Sequence, residues 1–334
     1  MTCFVIVLDL FCGTKFSDIN ILEFIEKFED EFTYKAYLLD VRLNEGVTCK
    51  HCGCKKHYWL AAKWQFQCSS CSFRTTLRSG TVMENSNLSI RKWFLIMLFM
   101  TSTKKGMSAC EIKRQMGHTR YNTVLSVMNR IRDVMGKRDS LYQLNDMVEL
   151  DEGFFETEVS GRVRSKLKRG KGSQRQENVA VMAESVPLED LETGKKSKSC
   201  RYFKMQVLDN HSGDSITKVI QESIDEKSIV FTDKSSSYID ICKYVEVHLM
   251  EKSNMQVTKE TLQWVHIAIS NAKRTFLGVF HKIKGANLQR YLNEFVYKLN
   301  RRYCKSIFER LIVASVFPYW YNNCLLYTSP SPRD

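Results

Sequence analysis

The chain has 334 residues, 43% of them hydrophobic, and a formal net charge of +13. That length suits two or three domains, and that apolar content excludes a disordered or purely fibrous chain. Twelve cysteines, of which four sit in close pairs, point to a reducing compartment, and an apolar opening with Asp9 inside it and no basic start argues against both a secretory leader and a membrane span, which needs about 20 apolar residues.

Residues 17–46 read as a helical lead-in, with Ile21, Phe24, Ile25, Phe28 and Phe32 at helical spacing. Residues 47–82 carry Cys49-x2-Cys52 and Cys68-x2-Cys71, two thiol pairs at the spacing of a zinc ribbon. Four thiolates suit tetrahedral Zn²⁺, and such a closed set leaves no open position, so the metal is structural. Cys54 is too close to Cys52 to pair with it and is read as a bystander. Residues 88–138 follow as a helix-turn-helix DNA-binding region. A short apolar helix over 89–100 precedes a helix capped by Ser108 and running to Met116. Gly117 makes the turn, and a second helix starts near Thr119. Its Val124, Val127, Met128 and Ile131 face inward; Arg120, Asn122, Arg130 and Arg132 are expected outward, as DNA contacts.

Residues 101–140 hold nine Lys/Arg against three Asp/Glu, and 162–175 hold seven Lys/Arg and no acid. These two windows carry the whole positive excess. Concentrated positive charge is a footprint for a polyanion, most often nucleic acid. In the second window Arg162, Arg164, Lys166, Lys168, Arg169 and Lys171 are the candidate phosphate contacts.

From 145 to 317 the pattern is that of a mixed sheet flanked by helices. Strands are expected over 147–155, 177–185, 201–208, 227–233 and 245–250, with a helix near 214–224 and helices after 264. Asp151 and Asp233 each close a strand. Two carboxylates held on neighbouring strands could bind Mg²⁺ or Mn²⁺, two ions of which would suit in-line phosphoryl displacement. Candidates for a third ligand are Asn271, Glu251 and Glu260, with Glu294 as a fourth acidic group.

Several runs together resemble the ISXO-like insertion-sequence transposases, a family related to the Merlin transposons. They are FIEKF (24–28), the four-cysteine ribbon, SGTVMENSNLSIRKW (79–93), KKGMSACEIKRQMG (104–117), ELDEGFFE (149–156), FTDKSSSY (231–238), VHIAISNAKR (265–274) and LQRYLNEFVYKLNRRY (288–303). The resemblance implies an α+β multidomain chain: a zinc ribbon and helix-turn-helix followed by an RNase H-like catalytic domain. It implies metal-dependent cleavage and strand transfer on terminal inverted repeats and target DNA, by a dimer or larger assembly. By motif it carries Asp151, Asp233 and Asn271 over as the Asp-Asp-Asn set, holding magnesium, and Lys273 as a DNA contact. It places the protein in the cytoplasm with the nucleoid, or in the nucleus of a eukaryotic host. The alternative is a catalytically inactive DNA-binding regulator with the same front half. The tail 324–334 resembles a translated sequencing adapter and is set aside.

Overall fold

The computed structural model describes residues 20–158, 173, 175–189, 196–208, 213–233, 236–251 and 261–317. The described residues fall into two compact units, one of residues 20–134 and 304–317, the other within residues 135–303.

In the first unit the lead-in is two helices, not one. α1 (Ile21–Lys27) opens on a capping box between Asn20 and Glu23. α2 (Glu31–Glu45) restarts at Asp30, whose carboxylate accepts from the Thr33 N–H at 2.8 Å. Asp30 in extended conformation is a better cap than a helix interior residue, and the break falls there. β1 (His57–Leu60), β2 (Gln65–Cys68) and β3 (Arg74–Thr76) form an antiparallel sheet. Buried Arg42 of α2 ties to the segment after β3, donating to the carbonyls of Leu77 (2.8 Å) and Ser79 (2.6 Å). α3 (Ile90–Ser102) is capped by Ser89 and buries Trp93, Phe94 and Met97. α4 (Ala109–Gln115) and α5 (Tyr121–Ser140) meet at Gly117, whose φ of +58° is the left-handed region glycine enters freely.

The last described helix, α9 (Ile307–Val316), belongs to this first unit, whereas the sequence reading assigned everything from 145 to 317 to one domain. Its Phe308 ring lies 5.5 Å from Phe24 and 6.1 Å from Phe94, and the Val82 N–H donates to the Ser315 carbonyl at 3.0 Å. An apolar helix goes where an aromatic cluster can cover it, regardless of chain position.

The second unit is built on five strands: β4 (Met147–Glu156), β5 (Gln176–Glu189), β6 (Lys196–Val207), β7 (Ile229–Asp233) and β8 (Val247–Glu251), in the order β6-β5-β4-β7-β8. β4, β5 and β6 are antiparallel; β7 joins β4, and β8 joins β7, in parallel. α6 (Gly213–Ser223) makes the crossover before β7, and α7 (Gln263–Val279) and α8 (Leu288–Asn300) follow β8. The strands alternate. Val148, Leu150, Ala180, Met182 and Val230 pack with α6 residues on one face, while Phe155, Val179, Val181 and Ala183 pack under α7 and α8 on the other. Side chains of α8 also satisfy the β6 edge: Gln289 and Asn300 accept from the N–H groups of Val207 and Phe203, both at 2.8 Å. That coverage blunts an otherwise open strand edge.

Candidate functional site

The ribbon brings its four cysteines together by local turns. The Cys49 carbonyl accepts from Gly53 N–H at 3.0 Å, and the Cys68 carbonyl from Ser72 N–H at 3.1 Å. Gly53 (φ +71°) and Ser72 (φ +58°) are both left-handed, so the two thiol pairs sit on matching knuckles. The Sγ atoms of Cys49 and Cys71 are 3.5 Å apart, as are those of Cys52 and Cys68, and all four lie within 4.8 Å of one another. A tetrahedron with Zn–S bonds of about 2.3 Å needs S···S separations of about 3.8 Å, so the set fits zinc. Backbone N–H donors, that of Cys71 foremost, push the Cys68 thiol down to about 6, while the Cys52 and Cys71 thiols move up. Cys54 Sγ instead lies 3.4 Å from the Lys56 N–H.

The acidic residues come together by sheet register. β4 and β7 pair as Met147↔Ile229, Val148↔Val230 and Glu149↔Phe231, always 82 positions apart. Carried two residues past the last of these pairs, the same offset brings Asp151 and Asp233 to one face of neighbouring strands, although Asp151 sits midway along β4 and does not close it as the sequence suggests, while Asp233 ends β7. Burial pushes the Asp151 carboxyl up to about 6, and the charge of Asp233 adds to the rise; the Glu152 N–H, at 2.7 Å, and His266 oppose it. Crowded, partly desolvated acids of this kind fit a hard divalent cation, which relieves both burdens. Glu251 ends β8 in register with Asp233 and accepts from the Thr261 hydroxyl at 2.8 Å. Among the described residues the cysteines are the one group of three or more His, Cys, Asp or Glu ligand atoms within 4.8 Å, so no three groups of the acidic site are drawn together that tightly.

α7 supplies a third group, and it is not the expected one. His266 Nε2 stands 3.6 Å from Asp151 Oδ2. The face of α7 buried on the sheet carries Val265, Ala268, Ile269, Ala272 and Phe276. At 100° per residue, Asn271 is turned about 140° from His266 and lies on the opposite flank of that buried face. Asn271 is exposed. Lys273 shares the flank of His266; its Nζ sits 5.7 Å from the Phe155 ring. The missed signal was the spacing itself: seven residues separate His266 from Lys273, about two turns, whereas Asn271 and Lys273 point apart. Of the other candidates, Glu294 is buried in α8, the helix over the far strand β6, and Glu260 lies outside the described residues.

The helix-turn-helix residues divide. Val124, Val127, Met128 and Ile131 are buried, and Arg120 and Asn122 are exposed on the first turn of α5 and just before it. Arg130 is half-buried, donating to the Glu84 carbonyl at 2.8 Å over the Trp93 ring. Arg132, expected outward, is 1% exposed and bonds Asn129 at 3.0 Å. Position 132 follows Ile131 and Met128 around the same helix, so the stripe that enters the core takes the arginine stem with it. An open groove beside α5 is lined by Asn87, Lys92, His118, Arg120, Asn122 and Ser126 among others, with no carboxylate in its wall. The loop residues 162, 164, 166, 168, 169 and 171 lie outside the described residues. Among the described residues no helix is long and apolar enough to cross a membrane.

Comparison with known proteins bears on both regions. A family model of the ISXO2-like transposase domain matches residues 143–300, and one of a transposase zinc-ribbon domain matches residues 29–74. A Halobacterium salinarum protein described as an uncharacterized protein in transposable element ISH50 is 27% identical over 152 residues, 44% of this chain and 50% of that one. The chain thus spans about half the length of that relative.

Proposed function

We propose that the chain, which matches the ISXO2-like transposase domain over residues 143–300 and a transposase zinc ribbon over residues 29–74, is a DNA transposase that binds the terminal inverted repeats of its element and cuts and joins DNA at Asp151 and Asp233. The strand order β6-β5-β4-β7-β8, with β4, β7 and β8 parallel, Asp151 midway along β4 and Asp233 at the end of β7, supports reading this unit as an RNase H-like catalytic domain. The observation that carries the reading is the proximity of Asp151 and Asp233, two positions beyond the last β4–β7 pair and close enough for the charge of Asp233 to raise the Asp151 carboxyl, with His266 at 3.6 Å from Asp151.

Asp151 and Asp233 would hold Mg²⁺ or Mn²⁺. Such a cation, when bound, polarises a phosphodiester and favours the ionised form of an attacking oxygen. The protein's own groups do the rest. β4 and β7 fix the carboxylates on a rigid frame. The His266 imidazole stabilises ionised Asp151 and limits its rotation. Lys273, on the same flank, meets a phosphate of the strand being cut. Water attacks the phosphodiester at the element end and releases a 3′-hydroxyl; that hydroxyl then attacks a target phosphodiester in the same site, one P–O bond forming as another breaks. The zinc ribbon shapes the front unit, Arg120 and Asn122 at the start of α5 contact terminal DNA, and the basic loop 162–175 grips flanking or target DNA through phosphates. Two ends cut together require at least a dimer.

The test is a nicking and joining assay on labelled terminal-repeat DNA with Mg²⁺ or Mn²⁺. Asp151→Ala and Asp233→Ala should each remove nicking while leaving DNA binding intact. Sequence-specific binding with no nicking by the unaltered protein in either metal would leave a DNA-binding regulator as the surviving reading.

A further inference from the structure

Glu149 carries a carboxylate that strand cleavage does not use. It lies two residues before Asp151 on β4, on the same face, and is 0% exposed. Its Oε2 accepts from the backbone N–H groups of Trp264 at 2.8 Å and Val265 at 3.3 Å. These belong to the first turn of α7, where amides have no partner inside the helix. The residue at the head of α7, Leu262, supplies no side-chain cap. The helix is therefore capped from the sheet and not by its own chain.

The cap is the first rung of a matched series. Glu149 meets Trp264 and Val265, Asp151 meets His266, and Phe155 meets Lys273. Between them, a Cβ on Gly153 would come within 3.3 Å of Ile269, so strand and helix run in close contact. A slip of one residue along α7 would move each side chain about 1.5 Å and turn it about 100°. Such a slip would take His266 off Asp151. A second feature sets Glu149 apart from an ordinary cap. Its Oε1 is buried and makes no hydrogen bond of ordinary geometry, although the Ser185 hydroxyl and the Lys198 charge both favour the ionised carboxylate. A half-satisfied buried carboxylate is a costly way to stabilise a helix end, and a serine or aspartate at 262 would do it from the surface. What Glu149 adds over such a cap is a fixed link between β4 and α7.

We infer that Glu149 is a positioning residue for the cleavage site: its carboxylate oxygen holds the first turn of α7 in register on β4, and so sets where His266 meets Asp151 and where Lys273 faces DNA. The inference rests on the reading of Asp151 and Asp233 as the strand-cutting pair.

The test compares Glu149→Leu with Glu149→Gln in the full-length, zinc-loaded chain; Glu149→Ala replaces the leucine variant if that one does not fold. Two readouts are taken: hydrogen exchange of the 264 and 265 amides, and kcat and KM for nicking terminal-repeat DNA with Mn²⁺. Glutamine keeps an acceptor oxygen, so it should retain amide protection and keep kcat within about tenfold. Leucine should speed exchange at both amides at least about tenfold and lower kcat by about 100-fold, with KM little changed, the loss expected for an ångström-scale misplacement. Leucine with unaltered exchange and kcat would overturn the inference. So would glutamine losing as much kcat as leucine, since that would make the charge, not the acceptor, the requirement. The exchange measurement decides the register claim even in a protein that cuts no DNA, so a failure of the transposase reading stays distinguishable from a failure of this one.

Discussion

The two candidate metal centres are assembled in opposite ways. The ribbon gathers four sulfurs within 4.8 Å from residues 49–71, using two knuckles and one short hairpin. The acidic site gathers its groups across a sheet, from strands whose paired residues stand 82 positions apart. The first is local and saturated with soft donors; the second is long-range and charged. A site made by turns is written in residue spacing. A site made by strand register is written only in which strands pair, and that depends on the whole unit.

The largest expected effect breaks the comparison at its local end. Cys68→Ser, or chelation of zinc, should unfold the ribbon, because structural zinc in small folds is worth on the order of 10 kcal/mol at neutral pH. Exchange protection should vanish over β1–β3 while the five-stranded sheet keeps its own; loss of both together would refute two separately built regions.

Next in size is the contrast within α7. His266→Ala should lower the nicking rate by about 10- to 100-fold, as expected for a group that orients a catalytic carboxylate. Asn271→Ala, on the other flank, should change it less than about threefold. The reverse ranking, measured in single-turnover nicking, would restore Asn271 as the third member of the set.

Here the legibility of the chain shows its limit. The cysteines and the five strands could be read from residue pattern, because alternation and thiol spacing are local, whereas the position of Asp151 in the middle of β4 could not. Asn271 could be chosen over His266 because motif likeness says which residues lie near each other in sequence but not which flank of a helix faces a strand. Arg132 was misjudged for the same reason: a basic residue on an amphipathic helix looks exposed until the width of the buried stripe is known. The placement of α9 with the first unit depends on Phe24 and Phe94, more than 200 positions away, and no nearby residue signals it. Glu149 was passed over because its role exists only once β4 and α7 are in contact.

A smaller effect concerns pH. Burial raises the Asp151 carboxyl from 3.8 to about 6, so folding favours its protonated form. The stabilisation is complete below about pH 4 and is lost as pH rises through 6, by at most about 3 kcal/mol in metal-free protein. Urea midpoints should fall over that window in the unaltered protein and stay flatter in Asp151→Asn. Nicking, which needs the ionised carboxylate, should rise across the same interval. The smallest effect is on the DNA-binding surface. Arg120→Ala should weaken binding several-fold and reduce the salt dependence of affinity by about one phosphate contact, whereas Arg132→Ala should lower the melting temperature more than it lowers DNA affinity.

The most direct test of a cation shared by Asp151 of β4 and Asp233 of β7 is calorimetric titration of Mn²⁺ into the zinc-loaded protein, with Asp151→Asn and Asp233→Asn in parallel. Convergent carboxylates predict one class of Mn²⁺ binding in the unaltered protein that either substitution weakens at least about tenfold. Mn²⁺ binding that is undiminished in both variants would contradict it.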